Sequence, residues 1–243
     1  MKNKKAITIV NSITMIRVIG TFLLPFFAII LSPIGLTIYI TSLLLTDALD
    51  GFLARKLNAC TIFGSLLDQA ADKILGIATL SILAWKYPIM LLPIFTEILI
   101  ILVNSKYGIK GAHVTSSILG RIKTWLLGIA IVVGFCTLYA NDIIVLFAAE
   151  NNVSSMIRHL FEALIENPNL VMHSIAFVSL GMGAMVVLDY YLRAKHDLKE
   201  GNVPENLKIK WDKTLYKNLF SVEYYHKTKN QPLIKQLGKV VKK

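Results

Sequence analysis

The sequence predicts an all-α integral membrane protein built on six transmembrane helices, and three observations carry that expectation. Hydrophobic residues make up 55% of the 243-residue chain and charged residues only 17%, with a mean hydropathy of +0.60, a balance that soluble globular domains rarely reach. Six apolar runs, near 12–31, 34–53, 63–85, 88–105, 118–140 and 170–192, each approach the ~20 residues that a spanning helix needs. The basic residues gather at the termini and in every second connection, as they do in multi-pass membrane proteins.

The first run follows MKNKK and so resembles the front of a secretory signal peptide. It is too long for one, carries Arg17 and lacks a small-residue cleavage site, so it reads as a retained first helix. The second and third runs are separated by the short stretch 56–62, and the first five are joined by short connections, which predicts one compact bundle. Residues 141–168 are longer and mixed, with breaks at Asn151, Asn152, Asn167 and Pro168. The amphipathic piece MIRHLFEALI within them suits an interfacial helix on the outer surface. In the sixth run Gly181, Gly183 and Ala184 suit close helix packing or a dimer interface. The six-helix domain thus occupies residues 1–193, followed by a basic tail over 194–243. From Arg193 onward the chain holds 13 of its 26 Lys and Arg residues. Two readings of this tail stay open: a solvated segment, or a helix lying on the bilayer through Leu233, Ile234, Leu237, Val240 and Val241.

Sidedness follows from the cations. Lys2, Lys4 and Lys5, then Arg55 and Lys56, then Lys106, Lys110, Arg121 and Lys123, then the tail, all fall on one side, against Lys86 and Arg158 on the other. The positive-inside rule places both termini and the second and fourth connections in the cytoplasm. The +11 net charge is accounted for by this topology, so no nucleic-acid partner is expected. Cys60 and Cys136 lack CxxC or zinc-ligand spacing, and the five histidines show no paired spacing, so no redox or metal role falls to them.

Against this apolar background, residues 46–73 read TDALDGFLARKLNACTIFGSLLDQAADK and place four aspartates between two apolar runs. An ionised carboxylate at membrane depth is costly unless paired, so intramembrane charge points to function. Asp47 and Asp50 are three positions apart and Asp68 and Asp72 four apart, so each pair projects from one helix face. If the two helices pack antiparallel across the short connection, four carboxylates converge. Such a cluster repels itself unless cations sit in it, and hard oxygen ligands suit Mg²⁺ or Mn²⁺ in a dinuclear site. Gly51, Ala54 and Gly64 leave room for a ligand near the backbone, and Arg55 can pair with phosphate through two nitrogens. Carboxylates, small residues and one arginine together suggest a diphosphate site at the membrane surface.

Asp47, Asp50, Gly51, Ala54, Arg55, Gly64, Asp68 and Asp72 reproduce DxxDGxxARx8GxxxDxxxD without a mismatch, and the chain resembles the CDP-alcohol phosphatidyltransferases. The resemblance implies a six-helix membrane fold, usually dimeric, that displaces CMP from a CDP-linked lipid such as CDP-diacylglycerol with an alcohol. It implies Asp47, Asp50, Asp68 and Asp72 at a site for two divalent ions, with Asp72 as general base. Asp47, Gly51, Ala54, Arg55 and Gly64 would border the CDP moiety. NSITMIR, ARKLNACTIFG, ADKIL and LGRIKT resemble family members whose acceptor is sn-glycerol 3-phosphate. Such an acceptor needs cationic partners, and the candidates are Arg121 and Lys123, with Arg17 and Lys110 beside them. Phosphatidylglycerol or inositol phosphate would preserve the chemistry and change the acceptor. From another class, a membrane cation transporter would use the aspartates but leave Gly51, Ala54, Arg55 and Gly64 without a purpose. An inactive family member acting as a partner would keep the fold alone.

Overall fold

The computed structural model describes residues 2–110, 117–149, 155–199, 213–229, 231 and 236–237. Among them there is no strand. Helices α1 (Lys2–Ile30), α2 (Pro33–Lys56) and α3 (Ile62–Lys86) precede a 3-10 turn at Pro88–Met90. The helices α4 (Leu91–Ile109), α5 (Ile118–Leu138), α6 (Ala140–Ala149), α7 (Ser155–Glu166), α8 (Pro168–Lys199), α9 (Lys213–Leu219) and α10 (Val222–Thr228) follow.

Local chemistry sets several of these boundaries. Ser32 caps α2 by accepting from the Gly35 N–H at 3.2 Å, with Pro33 in the first helical position, where its missing N–H costs nothing. Ser117 caps α5 in the same way, accepting from Gly120 at 2.9 Å. The end of α2 is closed by Asn58, which takes the left-handed conformation (φ 48°) that Asn tolerates better than other side chains. The Asn58 N–H donates to the Arg55 carbonyl at 3.2 Å and the Ala59 N–H to the Ala54 carbonyl at 2.9 Å. This pair of bonds is a Schellman motif. Two residues later Thr61 caps α3, accepting from Gly64 at 3.0 Å.

Among the described residues five segments are long and apolar enough to cross a membrane: Lys5–Ile30, Pro33–Lys56, Pro88–Gly108, Ile118–Leu138 and Pro168–Leu198. The sixth expected span corresponds to α3, whose 25 residues would reach about 37 Å. Asp68, Asp72, Lys73 and Lys86 keep α3 from the same standard of apolarity. Its charged first half instead faces other helices. The expected interfacial piece after the fifth run is α7, preceded by α6.

Helix α1 packs against both α2 and α3, which touch each other much less, while α8 packs against α4 and α5. The main core fills the end of the bundle away from the α2–α3 turn: Leu24, Leu36, Ile40, Leu83, Met90 and Phe135 are almost fully buried there. Outward-facing Ile16, Phe22, Ile29, Trp125 and Phe177 are exposed in the isolated chain, as lipid-facing residues of a spanning bundle are. Close approach of α4 and α8 depends on Gly183, where a Cβ would stand 2.6 Å from the Thr96 Cβ. At Gly181 a Cβ would meet nothing within 4 Å.

The C-terminal segment returns to the bundle. Phe220 stacks on Phe63 at the start of α3, with ring centroids 4.8 Å apart, and Leu215 and Thr228 are buried. This docking differs from a tail solvated or spread on the bilayer. Two helices of seven residues each leave little periodic signal to read. Leu233, Ile234, Val240 and Val241, like His113, Asn151 and Asn152, lie outside the described residues.

Candidate active site

The four aspartates do converge, but α1 rather than direct α2–α3 packing brings them together. Asn11, Thr14 and Arg17 recur every three residues and so occupy one face of α1, between the two acidic helices. Arg17 is fully buried, and its guanidinium is the hub. One terminal nitrogen, Nη1, pairs with Asp47 and lies 3.5 Å from Asp72. The other, Nη2, lies 2.7 Å from Asp68 and 3.6 Å from Asp50. Thr14 donates to Asp50 at 2.7 Å and fixes that carboxylate, leaving its second oxygen buried without a hydrogen-bond donor.

The charge balance of this cluster is incomplete. Two carboxylates about 4 Å apart repel by roughly 4 kcal/mol at an effective dielectric near 20, and one guanidinium stands among four carboxyl groups. One oxygen from each of Asp47, Asp50 and Asp68 lies within 4.8 Å of the others, an arrangement that could hold a metal ion. The all-oxygen donor set suits a hard divalent cation, and the unsatisfied Asp50 oxygen and the cation already standing among the carboxylates both fit such a group.

A cleft of about 210 Å³ opens beside the cluster. Asp50 and Asp68 form its acidic end, and Gly51, Ala54, Arg55 and Gly64 line its walls with Asn11 and Thr14 of α1. Arg55 is exposed at the rim. A Cβ at Gly64 would come within 3.0 Å of the Asn11 Oδ1, so glycine there lets α3 approach α1. At the turn end the lining passes to Ala59, Cys60, Thr61 and, from α10, Tyr225. Asp47 and Asp72 approach the other terminal nitrogen of Arg17, Nη1, and do not line this cleft. A larger apolar cleft of about 260 Å³ runs between α5 and α8, with Lys123 as its charged member. Its aliphatic lining suits lipid, and the acidic chemistry sits in the smaller cleft.

A family model described as CDP-alcohol phosphatidyltransferase matches residues 7–157, a stretch that contains the whole acidic cluster. The chain belongs to the CDP-alcohol phosphatidyltransferase family. It is similar to a Bacillus subtilis protein named CDP-diacylglycerol--glycerol-3-phosphate 3-phosphatidyltransferase, with 39% identity over 95 residues, 35% of this chain and 47% of that protein. A Haemophilus influenzae protein of the same name is 45% identical over 74 residues, 28% of this chain and 38% of its own. A Wigglesworthia glossinidia brevipalpis protein, also so named, is 32% identical over 120 residues, 41% of this chain and 66% of its own. The chain therefore covers under two thirds of the length of each of these relatives. No solved structure matches it.

Of the expected phosphatidyltransferase site residues, Asp47, Asp50, Asp68 and Asp72 meet at Arg17, and Gly51, Ala54, Arg55 and Gly64 meet in the cleft. The four cationic candidates for an acceptor phosphate separate. Arg17, expected among them, is committed to carboxylates, because four negative side chains surround its guanidinium. Lys110 and Arg121 are exposed. Lys123 is buried and pairs with Glu97 of α4, which also accepts from Lys73 at 2.7 Å. Glu97 thus joins two cations from α3 and α5, and Lys73 follows Asp72 directly in the chain. The sequence signal for this second cluster was a glutamate inside the fourth apolar run, which needs a cationic partner.

Proposed function

We propose that this phosphatidyltransferase moves the phosphatidyl group of CDP-diacylglycerol to sn-glycerol 3-phosphate, releasing CMP, with Mg²⁺ or Mn²⁺ bound at the acidic cluster. The observation that carries the reading is the meeting of four aspartates from two helices around Arg17, two of which, Asp50 and Asp68, form the acidic end of a cleft walled by Gly51, Ala54, Arg55 and Gly64. A cation transporter has no use for that wall. The names of the similar proteins support this acceptor over phosphatidylglycerol or inositol phosphate.

Asp47, Asp50 and Asp68 would hold the metal, two ions in all, with Asp72 completing the site. When bound, divalent ions neutralise the diphosphate and stabilise CMP as the leaving group. The remaining roles belong to the chain. Thr14 orients Asp50 by its 2.7 Å hydrogen bond. Arg17 keeps the four carboxylates gathered before substrate arrives, a preorganisation that lowers the cost of assembling the charged site. Arg55 at the rim pairs with a phosphate oxygen of the nucleotide. Asp72 takes the proton from the attacking hydroxyl. Lys123 and Lys73, with Arg121 and Lys110 at the surface, attract the acceptor phosphate, whose charge would compete with Glu97 for the two lysines. The site faces the cytoplasm, where glycerol 3-phosphate is charged and water-soluble, and the protein works as a homodimer.

The test is CMP release from CDP-diacylglycerol by the detergent-purified protein, with each candidate acceptor in turn. Release that requires glycerol 3-phosphate and stops with EDTA is expected. Dependence on a different alcohol would replace the acceptor, and no release with any acceptor from folded protein would reject the transferase reading.

A further inference from the structure

The C-terminal segment supplies a wall of the nucleotide cleft. Residues 213–229 lie beyond the 7–157 stretch that the family model matches, yet α9 and α10 dock on the start of α3 through the Phe220–Phe63 stack. Ser221 caps α10, accepting from Tyr224 at 3.2 Å. That docking delivers Tyr225 into the lining of the cleft that also holds Asp50, Arg55 and Asp68.

The cleft is polarised along its length. Its acidic end matches a metal-bound diphosphate, whereas its turn end, at Ala59, Cys60 and Tyr225, is apolar and aromatic. A cytidine nucleotide has the same polarity, charged at the phosphates and planar at the base. Aromatic side chains hold bases through stacking, and the loss of one such ring costs about tenfold or more in affinity. Burial, and secondarily the neighbouring Cys60, pushes the Tyr225 phenol up from its ordinary range, so the ring is neutral at physiological pH.

We propose that Tyr225 is a nucleotide-binding residue, its ring packing on the pyrimidine base of the CDP moiety, and that the C-terminal segment closes the base end of a site whose diphosphate end is built by α2 and α3. This inference rests on the reading of the cleft as a cytidine nucleotide site. It gives the basic tail a role beyond attraction to anionic lipid: the tail carries a ring that the matched domain lacks at this place.

The experiment is calorimetric titration of CMP into the full-length protein in detergent with Mg²⁺, for wild type, Tyr225→Ala, Tyr225→Phe and Phe220→Ala, together with steady-state kinetics on CDP-diacylglycerol. Tyr225→Ala is expected to weaken CMP about tenfold and to raise KM for CDP-diacylglycerol in step, with kcat at saturation within twofold of wild type. Tyr225→Phe keeps the ring and stays within about threefold. Phe220→Ala, which releases the docked segment without touching the cleft, should weaken CMP in the same direction and serves where Tyr225→Ala fails to yield folded protein. CMP affinity within twofold of wild type in either alanine variant overturns the role of the tail and leaves the transferase reading standing. Wild-type protein that binds no CMP overturns both.

Discussion

Replacing Arg17 by methionine keeps most of the side-chain volume and removes the cation at which Asp47, Asp50, Asp68 and Asp72 meet. Loss of one partner from a buried ion pair costs about 3–5 kcal/mol. Here the Asp47 and Asp68 side chains are 35% and 39% exposed, so solvent screens part of the loss and the lower end, about 3 kcal/mol, applies. For a chain of this size that lowers the melting temperature by about 6–12 °C. The measurement is thermal unfolding of detergent-purified Arg17→Met and wild type, in EDTA and in excess Mg²⁺ or Mn²⁺. Without the competing guanidinium the variant should bind divalent ions more tightly than wild type, and at saturating metal each tenfold difference in Kd closes the gap by about 1.4 kcal/mol, so the gap between the two proteins should narrow with metal. A variant that melts within about 2 °C of wild type in EDTA, or a gap that metal leaves unchanged, would refute the view that Arg17 and a bound cation answer the same excess of negative charge.

The other predictions address the chemistry and the packing. Asp72→Asn should fold and bind CMP while losing at least about a hundredfold in the rate of CMP release; an initial-rate assay that finds substantial activity rejects Asp72 as the base. Glu97→Gln leaves Lys73 and Lys123 without their shared carboxylate and should destabilise the protein by about 3 kcal/mol, a loss that Lys123→Met in the same chain partly reverses; additive melting shifts would show that the two residues do not interact. Gly183→Ala should cost about 1–3 kcal/mol through overpacking against Thr96, whereas Gly181→Ala, with open space around it, should be neutral or stabilising. Equal melting temperatures for those two variants would mean that α4 and α8 are free to separate.

How much of this was legible in the sequence differs from residue to residue. The two acidic pairs could be placed because three- and four-residue spacing fixes a helix face wherever the helix lies. Their meeting point could not be placed, because core-facing and lipid-facing positions of a spanning helix are equally apolar, so hydropathy says little about which helices touch. That is why α1 between α2 and α3 was not foreseen, although the three-residue recurrence of Asn11, Thr14 and Arg17 marks a polar face within an apolar run. By sequence Arg17 is a candidate for the acceptor phosphate and the carboxylates are assigned to divalent ions, and no local spacing links a cation in the first run to aspartates thirty or more residues away. The Lys73–Glu97–Lys123 cluster joins three helices, and no local spacing links residues so far apart. The count of six spans rested on treating 63–85 like its neighbours, and the charged half of α3 is what sets it apart. The docked tail depends on a few contacts from short helices, too little for periodicity to register.

The turn between α2 and α3 bears on how the motif tolerates change. The Schellman bonds that finish α2 reach Ala59, and the side chain that starts α3 is Thr61, so Cys60 is the one residue between two fixed ends. Each residue of a helix advances the chain by about 100° around its axis. An insertion or deletion within residues 56–61 therefore has almost no slack in which to hide, and if passed on to α3 it would turn Asp68 and Asp72 away from Asp47 and Asp50. The eight positions between Arg55 and Gly64 that the motif leaves unspecified act as a ruler: apart from Asn58, which closes α2, and Thr61, which caps α3, their side chains can vary while their number cannot.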